Sequence, residues 1–192
     1  MAESSIPLTQ HHPLRIEPDE AYLIAAARQD LRNFDALYKH FVTSVFRYLY
    51  SRTANVLDAE DITAQTFLIA LETFDRFRGD GHFRAWLFGI ARNKVVDLYR
   101  KRKPELPLDD ATNTSTSQDP LLSAIHLEQK AAVASIIAAL TDEEQELLRL
   151  RYLAEMSYRE IANLLQRNED AVKKTTYRLL ARIQSQLEDP NE

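Results

Sequence analysis

Apolar residues recur at spacings of three and four along most of the chain, and no stretch alternates at a period of two. That pattern predicts an all-α protein. Between Asp19 and Arg52 it predicts two helices. The first is short (AYLIAAARQ). The second follows Asn33, which suits an N-cap, and carries Phe34, Leu37, Phe41, Val45, Tyr48 and Leu49 as a core stripe. The next segment, ANVLDAEDITAQTFLIALETFDRF, opens with Asp58, Glu60 and Asp61, where carboxylates complement the helix dipole, and buries Phe67, Ala70, Leu71 and Phe74. Phe77-Arg78-Gly79-Asp80-Gly81 then breaks the pattern with two of the chain's three glycines. From Phe83 to Lys103 a further helix places Phe83, Trp86, Leu87, Ile90, Ala91 and Leu98 in one broad apolar stripe, with Trp86 read as core.

Residues 104–120, PELPLDDATNTSTSQDP, lose the periodicity altogether and read as a flexible acidic linker. They divide the chain into a helical domain over 19–103 and a second over 121–188, preceded by a flexible arm over 1–18. Past the linker, Leu121–Leu140 predicts an amphipathic helix. Two capping boxes follow: Thr141 with Glu144 opens a helix through about Leu153, and Ser157 with Glu160 opens a short one through Leu165. After a tight connection, Asn168 is placed to cap a third helix with Val172, Leu179, Ile183 and Leu187 on one side. A short capped helix, a three-residue turn and a longer basic helix form the pattern of a helix-turn-helix. A generic helical hairpin has the same outline.

Charge changes the picture. The net charge is -5, which taken alone argues against a nucleic-acid partner. Its distribution argues otherwise. Arg76–Lys103 holds nine basic and two acidic residues, Glu105–Glu146 one basic and nine acidic, and Arg167–Arg182 five basic and two acidic. Two basic blocks flanking an acidic one suggest two DNA-facing modules with a connector that avoids DNA. In the helix from Phe83, Arg84, Arg92, Asn93, Lys94, Arg100 and Lys101 lie outside the apolar stripe. A solvated basic face explains the cations, but aromatics and an amide add the stacking surfaces and hydrogen bonds that bases require.

Other chemistry is thin. There is no cysteine, hence no disulfide or thiolate site. His11-His12 has no nearby ligand to complete a metal site and reads as a solvated pair. No nucleophile–base pairing or metal-ligand spacing stands out, so neither an enzyme nor a cofactor is expected. The opening residues lack a signal-peptide pattern, and the longest apolar run, near Ala131–Leu140, is too short to span a membrane; a cytoplasmic location with no membrane insertion is expected.

Three stretches together resemble the extracytoplasmic-function group of bacterial sigma factors in the sigma-70 family: FDALYKHFVTSVFRYLYSRT, DAEDITAQTFLIALETFDRFRGDGHFRAWLFGIARNKVVDLYRKRK and LTDEEQELLRLRYLAEMSYREIANLLQRNEDAVKKTTYRLLARI. The helix-turn-helix is shared by many regulators; F-R-G-D, F-R-A-W-L and A-R-N upstream of it are far more specific. The resemblance implies a transcription initiation factor that binds core RNA polymerase, recognises promoter -10 and -35 elements and assists melting. It implies that Asp58, Asp61 and Gln65 dock on the beta-prime clamp helices, and that the second domain meets the beta flap. Phe77 and Asn93 would hold an unstacked -10 base, while Arg84, Arg92, Lys94, Arg100 and Lys101 grip phosphates. Lys173, Lys174, Tyr177 and Arg178 would contact the -35 element. Glu169 or Asp170 would accept from a cytosine amino group, or serve only as helix-start charge. An anti-sigma partner is also implied. The chain departs from the family pattern at Ala64-Gln65, where Gln-Glu is common, and at Thr175-Thr176, where Arg-Leu is common. A stand-alone helix-turn-helix regulator and a helical adaptor without DNA remain as alternatives.

Overall fold

In the described residues, every regular element is helical, and the turn chemistry explains most of the boundaries. The computed structural model describes residues 20–78, 82–101 and 131–188. Helix α1 spans Glu20–Gln29, and a 3-10 turn over Leu31–Asn33 leads directly into α2, Phe34–Thr53. Helix α3 spans Val56–Glu72, a second 3-10 turn covers Phe74–Arg76, and α4 runs over Phe83–Lys101. Helical backbone over 131–138 is α5. Helix α6 spans Asp142–Leu148 and passes into a π-helical turn at Arg149–Leu153. Helices α7, Tyr158–Leu165, and α8, Glu169–Glu188, complete the fold. The arm, the linker, Gly79–Gly81 and His11-His12 lie outside the described residues.

Both predicted capping boxes form. Thr141 Oγ1 accepts from the Glu144 amide at 3.3 Å while the Glu144 carboxylate accepts from the Thr141 amide at 3.0 Å. Ser157 and Glu160 repeat the exchange at 3.2 and 2.8 Å. Each box satisfies orphan amide donors at a helix start. Asn168 caps α8, its Oδ1 accepting from the amides of Asp170 and Ala171. Asn33 does not cap α2. It belongs to the 3-10 turn, has helical backbone angles, and donates from Nδ2 to the Ala26 carbonyl at 3.0 Å. The turn runs straight into α2, so no extended residue stands where a cap would sit; Asp30 instead caps the turn through the Arg32 amide. Asn55 caps α3, accepting from the Asp58 amide.

The predicted stripe of α2 is buried in full: Phe34, Leu37, Phe41, Val45, Tyr48 and Leu49. Helix α4 buries more than one stripe. Phe83, Leu87 and Ala91 are buried as expected, and so are Ala85, Phe88 and Val95. Trp86, Ile90 and Leu98 are only half-buried. The reason is position: α4 packs on α2 and α3 with one side and on α7 with another. Aromatic rings knit the first domain together, with Phe77 at 5.4 Å from Phe83 and 5.2 Å from Trp86, and Phe41 at 5.4 Å from Phe83. Full burial of one such ring contributes about 2–3 kcal/mol.

The two domains share one buried cluster. It runs from Leu23 through Val95 and continues into Leu147, Leu150, Met156, Ile161 and Val172. The independent modules suggested by the linker are thus packed face to face. The segment over 131–139 has no buried residue despite its apolar composition, and Leu140 is the first to enter the core. The described half of the Leu121–Leu140 helix is therefore apolar but largely solvated.

Candidate nucleic-acid and polymerase interface

The outer side of α3 presents Asp61, Ala64 and Gln65 to solvent, with Asp58 half-buried at its start. Asn55 sets this start by its cap. Asp58, Asp61 and Gln65 line a cleft of about 130 Å³ with Lys94, Asp97 and Lys101 of α4. The cleft unites the carboxylates expected to meet polymerase with two of the lysines expected to meet DNA. The family resemblance implied phosphate contacts for Lys94 and Lys101, and helical period alone does not resolve which flank of α4 faces α3. Leu57, Val56 and Leu68 are also exposed on α3, at 73%, 48% and 55%. A helix that leaves three large apolar side chains in water next to carboxylates has the make-up of a protein-docking surface.

On α4 the predicted DNA residues separate into three directions. Lys94 and Lys101 face the α3 cleft. Asn93 and Arg100 are exposed, with Arg100 paired to Asp97 at 3.0 Å. Arg84 and Arg92 turn toward the second domain. The Arg84 guanidinium lies 4.9 Å over the Phe41 ring, approaches Glu20 at 3.8 Å, and donates to the Ala154 carbonyl at 2.8 Å. Phe77 is buried beneath Trp86, and its carbonyl accepts from Arg28 at 2.7 Å. Next to these rings an open cleft of about 630 Å³ is lined by Arg76, Phe77, Arg78, His82 and Trp86, and bordered on the side of the second domain by Asn163 and Leu164.

The two domains meet around Glu146. The residue is 6% exposed. Tyr48 donates to it at 2.8 Å and Arg52 at 2.5 Å, both from α2. Arg92 of α4 stands within ion-pair range at 3.5 Å, without hydrogen-bond alignment, and Arg149 at 3.9 Å. Burial and then the Glu146 charge push the Tyr48 phenol far above its ordinary range. Burial, followed by the like charge of Arg52, lowers the Arg149 guanidinium. Glu146 escaped sequence analysis because it closes a run of helix-start acids, Asp142-Glu143-Glu144, in which it looks like one more dipole partner. An acid one residue before the buried Leu147 was the available signal.

The helix-turn-helix shows a different surface. Gln166 takes a left-handed conformation (φ 54°) that ends α7 and turns the chain into α8. Val172, Thr176 and Leu179 hold α8 to the core. Glu169, Asp170, Lys173, Lys174, Tyr177 and Arg178 are all exposed, as the pattern predicted. Thr176 is fully buried and donates to the Val172 carbonyl, so that departure from the family pattern is a core substitution; Thr175 is half-buried. Ile183 is half-buried and Leu187 exposed, since α8 outruns the domain that supports it. Tyr177 also sits 6.0 Å from Tyr158, whose ring carries Arg151 at 4.9 Å, with Tyr152 exposed nearby. This aromatic and cationic edge was not foreseen, because its members are scattered over three elements.

Comparison with known proteins shows the family. Residues 37–105 match Sigma-70 region 2 and residues 130–183 match Sigma-70, region 4. The chain belongs to the sigma-70 family. The ECF RNA polymerase sigma factor BldN of Streptomyces coelicolor is 33% identical over 163 residues, which cover 81% of this chain and 61% of BldN. SigM of Bacillus subtilis, another ECF sigma factor, is 30% identical over 155 residues, covering 79% of this chain and 93% of SigM. The solved structure of CnrH with the cytosolic domain of CnrY superposes with a TM-score of 0.63 at 28% identity, covering 89% of this chain and 98% of that one. RpoE of Bartonella quintana, solved with the anti-sigma factor NepR, shares the fold at a TM-score of 0.58 and 18% identity, covering 82% and 98%. The function is thus that of a sigma factor, which directs RNA polymerase to promoters. In this sigma factor the region 2 match embraces most of α2, α3 and α4, and the region 4 match ends within α8. Among the described residues no helix is long and apolar enough to cross a membrane.

Proposed function

We propose that the chain divides promoter initiation among three surfaces. The exposed α3 face around Asp58, Asp61 and Gln65 docks on the beta-prime clamp helices of core polymerase, with Leu57 and Leu68 adding apolar area. The second domain reaches the beta flap. The Phe77–Lys101 region takes the -10 element: Asn93 receives an unstacked base and Phe77, covered by Trp86, supports the site from within the core rather than stacking on the base as expected, while Arg84, Arg92, Lys94, Arg100 and Lys101 balance phosphate charge. Helix α8 reads the -35 element from the major groove through Lys173, Lys174, Tyr177 and Arg178, with Glu169 placed to accept from a base amino group. The protein acts in the cytoplasm by binding and positioning, without covalent chemistry of its own. An anti-sigma protein is the natural regulator, a reading supported by RpoE of Bartonella quintana, which shares the fold and was solved with the anti-sigma factor NepR.

The observation that carries this reading is the exposed N-terminal half of α8. It is capped by Asn168 and set at a fixed angle by the left-handed Gln166, in a chain that also matches region 2. The test is transcription from a genomic fragment library with core polymerase, with and without the protein. Discrete new start sites are expected only with it, and Asp61→Lys should abolish them while the isolated protein stays folded. A protein that forms no complex with core, yet binds duplex sites tightly alone, would instead be a stand-alone regulator.

A further inference from the structure

Tyr177 shares the exposed face of α8 with Lys173, Lys174 and Arg178. The three cations are long and flexible, which suits phosphates at many positions. Reading a base edge demands more of a side chain. It gains by standing in place before the duplex arrives, because immobilising a free side chain on binding costs affinity. A tyrosine on an open helix face has several staggered rotamers to choose between. Here its ring meets that of Tyr158, the first residue of α7, at 6.0 Å between centroids and 47° between planes. Rings attract at that spacing. Tyr158 is itself held: it is half-buried against the core, and Arg151 lies 4.9 Å over its ring. The Arg151 guanidinium is fixed in turn by donating from Nη1 to the Met156 carbonyl at 2.8 Å. Met156 is fully buried, and Glu155 before it takes a left-handed conformation (φ 54°) in the turn that brings Arg151 and Tyr158 together. Helix α7 starts at its own capping box and α8 is held by Val172, Thr176 and Leu179, so both helices have supports apart from the ring contact.

We infer that Tyr158 is a positioning residue for promoter reading: its ring, braced by Arg151, fixes the Tyr177 ring in the orientation in which Tyr177 meets a base edge of the -35 element. Affinity and sequence preference are thereby divided between different side chains of α8. Lys173, Lys174 and Arg178 supply affinity through phosphates, and Tyr177 supplies preference through a base. The effective part of Tyr158 is its ring rather than its hydroxyl, since the ring makes both contacts. The inference rests on the assignment of Tyr177 to the -35 element.

Two measurements on the full chain test it. In the free protein with isotope-labelled tyrosine, side-chain couplings report the χ1 rotamer of Tyr177, whose signals are identified by their loss in Tyr177→Phe. One dominant rotamer is expected in the parent and in Tyr158→Phe. An average over rotamers is expected in Tyr158→Leu, which keeps an apolar side chain against the core. With core polymerase, each variant is then titrated against promoter fragments recovered from the genomic library and altered one base pair at a time across the -35 element. Tyr177→Ala should flatten the preference at one or more positions by about 3–10-fold. Tyr158→Leu should flatten the same positions, the double variant should lose no more than Tyr177→Ala alone, and Tyr158→Phe should keep the parent's preference. The slope of log K against log salt should match the parent in every variant, because the phosphate contacts are untouched. Averaged Tyr177 couplings in the parent, an unchanged preference in Tyr158→Leu, or a flatter salt slope in that variant, as a loosened domain would give, overturns the inference. Preference unchanged in Tyr177→Ala as well puts the -35 assignment itself at fault, whereas preference lost in Tyr177→Ala and kept in Tyr158→Leu refutes the positioning role alone. If the library yields no promoter, the assignment of function is at fault, and the couplings still decide whether Tyr158 fixes Tyr177.

Discussion

Helices α4 and α8 are both amphipathic, both basic, and both proposed to face promoter DNA, yet the fold treats them oppositely. Helix α8 buries a narrow stripe of Val172, Thr176 and Leu179 and leaves its cations in water. Helix α4 is enclosed on more than one side, with Arg92 in ion-pair range of a buried carboxylate and Arg84 bonded to a carbonyl of the other domain. The lesson is that a basic residue off the apolar stripe is not thereby free. Its availability depends on what packs against the flank it occupies, and charge patterning along the chain carries no record of that.

The largest effect should come from the interface itself. Glu146→Leu leaves Arg52, Arg92 and Arg149 facing an apolar side chain. Removing one partner of a buried ionic cluster costs about 3–5 kcal/mol. Hydrogen exchange should show lost protection in α6 and the π-helical turn first. An exchange pattern matching the parent would mean that the domains do not depend on this contact.

The contrast between helices should also appear in DNA binding by the free chain. Lys173→Ala with Arg178→Ala should flatten the duplex salt slope by about 1.8, while Arg92→Gln leaves it unchanged. With polymerase present the Arg92 variant should lose promoter opening as well. Equal slopes for both variants in the free chain would show α4 to be as accessible as α8.

A smaller, local change tests how α7 is held. Ser157→Ala removes one half of a capping box and should cost about 1 kcal/mol in a urea melt. It should lower the stability of the helix-turn-helix while leaving polymerase docking through α3 intact.

The last expectation concerns pH. The Tyr48 phenol is held above the ordinary tyrosine value of 10.0 by burial and by the Glu146 charge. A raised folded-state value means that this stabilisation is complete below the unfolded pKa and is lost as pH climbs past about 10. Urea midpoints measured through that range should fall for the parent and fall less for Tyr48→Phe, which cannot ionise. Parallel curves would remove Tyr48 from the account.

Much of this was legible in the residues. The α2 stripe, both capping boxes, the Asn168 cap and the exposed face of α8 follow from local rules of period and backbone hydrogen bonding, which operate within a turn or two of helix. So does the helical class. Asn33 misled for a local reason of its own: two helical elements abut there and leave no extended residue to act as a cap. Of the proposed contact residues, Asp61, Gln65, Asn93, Lys173, Lys174, Tyr177 and Arg178 are exposed, as a surface role requires.

By itself, then, the chain determined its helices, their caps, its two basic blocks and its family. Only the tertiary structure decided that Phe77 is covered, that Lys94 and Lys101 share a cleft with Asp58 and Asp61, and that Arg84 and Arg92 serve the second domain. Glu146 shows why. It lies 94 residues from Arg52 and 98 from Tyr48. Its burial depends on those partners arriving together in a low-dielectric interface, and its own neighbourhood of sequence offers only its place beside Leu147 to set it apart from the acids before it.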